Sequence, residues 1–199
     1  MEQQLRKHLS MDTATMDKAR VDRATIDKET RMPGYASVGW TCSACGELIS
    51  AIEDGWVEWL AGEDEHGATR LNGLRLVHRN GVRGSNHGRC QYDDRCEFRR
   101  DQSIVEGLPL ERFVGVDGLM ILLSLIADRE MPTSDVLELA KRVQIPGYEQ
   151  TRELFHEAID VGAVAPVVGE GFYMQSEIQE LLRWTKSGER PLRQPHFDT

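Results

Sequence analysis

Two cysteines three positions apart and followed by glycine, in the run Trp40-Thr41-Cys42-Ser43-Ala44-Cys45-Gly46, constrain this chain more than any other feature. On a tight turn that spacing directs both sulfurs at one point. The glycine lets the backbone fold back and aim amide groups at the thiolates. A structural zinc ion fits such a turn, and it closes its tetrahedron with four protein ligands. Cys42 and Cys45 therefore need two more.

Four downstream side chains compete for those places: His78, His87, Cys90 and Cys96. Cys90 ranks first, because thiolates dominate structural sites and it lies in a loop that needs anchoring. His78 ends a strand-like segment from which an inward side chain reaches the turn. The leading set is Cys42, Cys45, His78 and Cys90. One alternative is the all-thiol set with Cys96, whose five-residue gap from Cys90 is wide for a second knuckle. The other puts His87 in the place of His78.

Competing chemistries fit less well. In a reducing compartment metal binding is a better default for these thiols than disulfides. A redox Cys-x-x-Cys opens a helix after a buried strand, whereas a hairpin pattern follows here. A catalytic zinc keeps an open position, and no His-Glu-x-x-His or deaminase-type signature occurs.

The surrounding patterns predict an α+β chain: a small zinc-stabilised β-hairpin domain, then a mainly helical one. Residues 1–34 form a polar leader with a five-residue repeat in which Met11, Met16, Val21 and Ile26 recur. Successive apolar groups then fall about 140° apart on a helix, so no packing stripe forms. The segment resembles the pentapeptide-repeat pattern, but four units make only about one coil of such a solenoid, too little to bury a face. It is expected to be a mobile leader or a marginal solvated helix.

Residues 35–100 form the zinc-binding unit. Trp56-Val57-Glu58-Trp59-Leu60 and Leu74-Arg75-Leu76-Val77-His78 alternate as two hairpin strands, and residues 80–96 have loop composition. Residues 103–187 form the helical unit. Its nearly all-apolar stretch 116–127 is expected to be a central helix. A second helix covers 134–143, with Val136, Ala140 and Val143 on one face. A third covers 148–161, with Thr151, Leu154, Phe155, Ala158 and Ile159 on one face. Strand, tight turn and strand follow over 163–174, and a capping box of Ser176 and Gln179 opens a last helix. Residues 188–199 are a loose tail.

The Cys42–Gly46 turn with its downstream donors resembles the zinc knuckle of zinc-ribbon and treble-clef domains, which implies a structural metal. The element order over residues 117–175 resembles a winged-helix domain, in which the third helix reads DNA and the wing touches backbone. Charge opposes DNA here. Residues 148–161 hold Glu149, Glu153, Glu157 and Asp160 against Arg152 alone, and an acidic recognition helix repels phosphates. A winged helix of this charge implies protein contacts. Leu76-Val77-His78-Arg79-Asn80 resembles the strand-end histidine of HNH-type nucleases, but His78 cannot be both zinc ligand and free base.

The formal net charge is −9, and only residues 75–100 are basic, with seven Arg against three acids. Within that stretch Arg79, Arg83, Arg89 and Arg95 are the candidate nucleic-acid contacts, set against salt bridges to the acidic segments on either side. No signal-peptide core opens the chain, and residues 116–127 are too short to span a membrane, so a cytoplasmic location is expected. The functional expectation is a non-enzymatic zinc-binding adaptor or regulator that works through a protein partner or a second copy of itself. Nucleic-acid binding by the Arg-rich stretch is second, and an HNH-like nuclease third.

Overall fold

The structure is a computed structural model that describes residues 39–81, 90–128, 130–169 and 171–187. These lie in one compact unit, residues 37–199. The expectations for the leader and the tail, and those for Arg83, His87 and Arg89, fall outside the described residues.

The fold is α+β, with a small antiparallel sheet region followed by helices. Strands β1 (Trp40–Thr41) and β2 (Leu48–Ile49) pair antiparallel and flank the cysteine turn. Strands β3 (Gly55–Glu63) and β4 (Thr69–His78) form the expected hairpin and run longer than their alternating cores. Their turn is tight because Asp64 Oδ1 accepts the backbone N–H groups of His66 and Ala68. Gly55 lies opposite His78, Val57 opposite Leu76 and Glu58 opposite Arg75, but Leu60 lies opposite Asn72. Gly73 and Leu74 thus share Trp59 as partner. Gly73, at φ +65, takes the left-handed conformation that such a bulge favours.

Two elements depart from expectation. Residues 94–101, expected as loop and its continuation, form helix α1 (Asp94–Asp101). Asp93 caps it by accepting the N–H groups of Arg95 and Cys96, so one cap overrides a polar composition. Residues 104–109 then form β5 (Ile104–Pro109), which pairs antiparallel with β3 to give the order β4-β3-β5. The sheet therefore continues past residue 103.

The helices are α2 (Gly115–Asp128), α3 (Thr133–Gln144), α4 (Tyr148–Thr151), α5 (Phe155–Asp160) and α6 (Gln175–Ser187). The stretch read as one helix over 148–161 divides into α4 and α5. Leu154 N–H donates to Thr151 O, three residues back, and Thr151 Oγ1 donates to Gly147 O and Tyr148 O. The regular ladder is thereby tightened and interrupted. The face expected for it still packs: Thr151, Phe155 and Ala158 are buried.

The strand pair expected over 163–174 is reduced to a single bridge between Gly169 and Phe172. The carboxylate of Glu177 accepts the N–H groups of Val167 and Met174, one on each arm of the loop. The bond to Met174 is the reach-back half of a capping box, so Glu177, not the Ser176/Gln179 pair, holds the start of α6.

One apolar cluster joins Cys42, Ile49, Val57, Leu76 and Cys90 to Phe113, Leu122, Val136, Leu139 and Val143. The sheet region and helices α2 and α3 share this core. A second cluster packs Tyr148, Phe155, Ala158, Val164, Ile178 and Leu181, with Phe155 stacked on Tyr173. Helix α2 is less central than its composition predicts. Gly118 and Leu122 are buried, but Val116, Leu119, Met120 and Leu123 are exposed. No helix among the described residues is long and apolar enough to cross a membrane.

Candidate metal centre

The cysteine turn builds as its spacing predicts. Cys42 N–H donates to Glu47 O and Gly46 N–H to Cys42 O, both at 2.9 Å, and Gly46 sits at φ +76, where a Cβ is strained. The turn is tied to the hairpin by Ser43 N–H, which donates to Leu76 O at 2.8 Å. Strand β4 delivers His78 two residues later, and Cys90 enters from the loop ahead of α1.

The donor atoms of Cys42, Cys45, His78 and Cys90 all lie within 4.8 Å of one another. His78 Nδ1 is 3.5 Å from Cys45 Sγ and 3.8 Å from Cys90 Sγ. A tetrahedral ion with arms of about 2.3 Å to sulfur and about 2.0 Å to nitrogen would set neighbouring S and N atoms about 3.5 Å apart. The group is thus compatible with a metal site. His78 Nε2 lies 3.3 Å from Leu48 O. A donor there leaves Nδ1 unprotonated and aimed at the sulfurs, the usual outer support of a ligating imidazole.

Electrostatics separates the thiols. Burial alone would raise the Cys42 thiol, but backbone N–H groups of Cys45, Ala44 and His78 outweigh it and bring it down to about 7. Burial pushes the Cys90 thiol up to about 12, helped by hydrogen bonding to Cys45 and by the Cys42 charge. Three thiolates this close repel one another, and a bound cation reverses that penalty. Ligation by Cys90 would therefore expel its proton. Metal affinity is expected to rise with pH through the neutral range, with proton release seen by calorimetry in buffers of differing ionisation enthalpy. A pH-independent affinity would show that Cys90 is not a ligand.

A partly buried ion pair holds the Cys90 loop. Arg75 binds the fully buried Glu58 through Nε at 2.8 Å and Nη2 at 2.7 Å, and Nη2 also donates to Cys90 O at 3.0 Å. Glu58 accepts Tyr92 N–H as well, and the guanidinium lies 3.4 Å from the Tyr92 ring centre. Burial raises the Glu58 carboxyl against the opposing pull of Arg75.

The alternates separate from this group. Cys96 is exposed on α1 with its N–H in the Asp93 cap, and it is not among the clustered donors, so the all-thiol set does not assemble. Of the candidate nucleic-acid contacts, Arg79 lies 5.6 Å from the Trp56 ring centre, and Arg95 is exposed on α1 beside Asp94 and Glu97. Arg100 pairs with Glu97 and Asp101.

Sequence reasoning missed a second ion pair. Arg142 and Glu149 are both buried and bidentate, with Nε to Oε2 at 2.7 Å and Nη2 to Oε1 at 2.8 Å. Glu149 was counted among the charges of an acidic recognition helix, and its charge is instead internally paired. Opposite charges on either side of the Pro146-Gly147 turn were the available signal. Comparison of the chain with protein-family models, with curated proteins and with solved structures finds no match.

Proposed function

We propose that Cys42, Cys45, His78 and Cys90 hold one structural zinc ion, and that the protein is a non-enzymatic adaptor or regulator acting through protein contacts. Three thiolates and an imidazole complete a tetrahedron without an open position, and no Asp or Glu joins the group among the described residues. That donor set suits a structural ion better than a catalytic one. His78 has Nδ1 toward the sulfurs and Nε2 toward Leu48 O, which leaves no nitrogen for the base of an HNH-like nuclease.

The observation that carries the adaptor reading is the outer face of α2. Val116 (72% exposed), Leu119, Met120 (65%) and Leu123 fall at i, i+3, i+4 and i+7. That is the anchor spacing with which an amphipathic helix enters an apolar groove or pairs with another helix. Asp117, Ser124 and Asp128 border the stripe without interrupting it. Helices α2 to α5 with the segment over 163–174 act as a winged-helix-like module for protein contact. A second copy of the chain is the occupant to test first, since self-association makes the stripe its own complement.

Sedimentation equilibrium across a concentration series should show a dimer. Met120→Glu and Leu123→Glu should shift it to monomer with metal content and helix signal unchanged. A wild-type chain that stays monomeric would remove the self-association reading. Salt-sensitive binding to mixed DNA or RNA at physiological ionic strength, lost on Arg79→Glu or Arg95→Glu, would replace the adaptor reading with the nucleic-acid one.

A further inference from the structure

The guanidinium of Arg142 does more than neutralise Glu149. Nη2 donates to Thr41 O at 2.6 Å and Nη1 to Ser43 Oγ at 3.2 Å. Glu149 Oε1 accepts Thr41 N–H at 2.7 Å, and Trp40 Nε1–H donates to Arg142 O at 3.3 Å. The pair therefore grips the N–H and C=O of the residue before Cys42 and the hydroxyl of the residue after it. Arg142 lies in the last turn of α3 and Glu149 in α4, on opposite sides of the turn through Gly147.

Filling space is a poor account of this arrangement. The same helix buries Val136, Leu139 and Val143 in the main core, and an apolar pair usually fills a buried site at least as stably as an ion pair. What an apolar pair cannot supply is directed bonding to the strand that carries a metal ligand.

We propose that Arg142 and Glu149 are positioning residues of the metal centre, and that through them metal occupancy and the seating of α3 and α4 on the cysteine turn are coupled. The inference rests on the zinc reading above. The bonds that hold Cys42 for the ion are the bonds that fix the junction of α3 and α4. Whatever the helices add to metal affinity, the metal must add to helix seating, because binding linkage is reciprocal. Supports one bond removed from the ligands characteristically change metal affinity by about 10–100-fold.

The test uses the full chain, zinc ions and a chromophoric chelator as competitor, with cobalt(II) spectra reporting the thiolate environment. Arg142→Met/Glu149→Gln removes both buried charges and keeps an acceptor for Thr41 N–H. It should still bind one ion, with affinity lowered about 10–100-fold. Ile104→Ala, an exposed change on β5 that touches none of these bonds, should leave affinity within about twofold. In the wild-type chain, chelation should speed amide hydrogen exchange at Thr41 and across 148–151. Should the double variant fail to fold, that wild-type comparison decides. Affinity in the double variant within twofold of wild type, or exchange across 148–151 unchanged by chelation, would overturn the coupling while leaving the zinc site intact. A wild-type chain that binds no metal would overturn the zinc reading and the coupling together.

Discussion

Chelation of the metal, or exchange of Cys42, Cys45 or Cys90 for serine, is expected to unfold the cysteine turn and to lower the stability of the whole unit by about 4 kcal/mol when free zinc stands about a thousandfold above its dissociation constant. Beyond the Ser43 bond to Leu76 O and the Arg142–Glu149 contacts, the turn has little to hold it. Strands β1 and β2 contribute two residues each, and a hairpin of that length does not persist unaided. Ile49 and Cys42 are part of the main core, so release of the turn exposes part of that core. Thermal unfolding followed by circular dichroism, with and without chelator, measures the effect. Cys96→Ser serves as the control and should change neither metal content nor midpoint. Equal midpoints with and without chelator would show that the four donors converge without binding an ion.

The second large effect belongs to Arg142. Arg142→Met should lower stability by about 3–5 kcal/mol, because it leaves the Glu149 carboxylate buried without its main partner. Arg152 Nε, at 3.5 Å from Glu149 Oε2, is too distant to replace the bidentate pair. Adding Glu149→Gln should recover much of the loss, since the stranded charge is then gone. Urea denaturation of the three proteins, each with free zinc at the same multiple of its own dissociation constant, reads the comparison without a contribution from altered affinity. A single variant as stable as wild type would mean that the pair is solvated and carries no buried charge. This stability cycle is separate from the affinity measurement. Stability should largely return in the double variant, and affinity should not.

The convergence of Cys42, Cys45, His78 and Cys90 was legible because it is written in local terms. The Cys42/Cys45 spacing specifies a turn, and alternation up to His78 specifies a strand that ends beside it. The loop composition before Cys90 called for an anchor. Each signal needs only a few neighbouring residues. The Arg142 clamp was not legible, since Arg142 and Thr41 are 101 positions apart and both charges look like ordinary surface groups in their own segments. Helix α1 was hidden for a different reason: its composition is polar, and the single carboxylate of Asp93 decides its start. Strand β5 was hidden by Gly107 and Pro109, which weaken a strand pattern that its position beside β3 restores. Helix α2 shows the limit of periodicity. An apolar residue at nearly every position makes no stripe, so sequence alone cannot tell the side that packs from the side left open.

The bulge at Gly73 and Leu74 sets where the imidazole points. Side chains of β4 alternate, and the extra residue opposite Trp59 resets which of them share a side with Val57. Were pairing to continue from Leu60 and Asn72 with no bulge, Arg75 would lie opposite Val57, and Arg75 and Val77 would take the side now held by Leu76 and His78. The convergence of the four donors thus depends partly on an even-or-odd register along β4. Substitutions on this strand can be absorbed one at a time, whereas a one-residue slip of its pairing with β3 would keep the histidine in the chain and turn it away from the sulfurs.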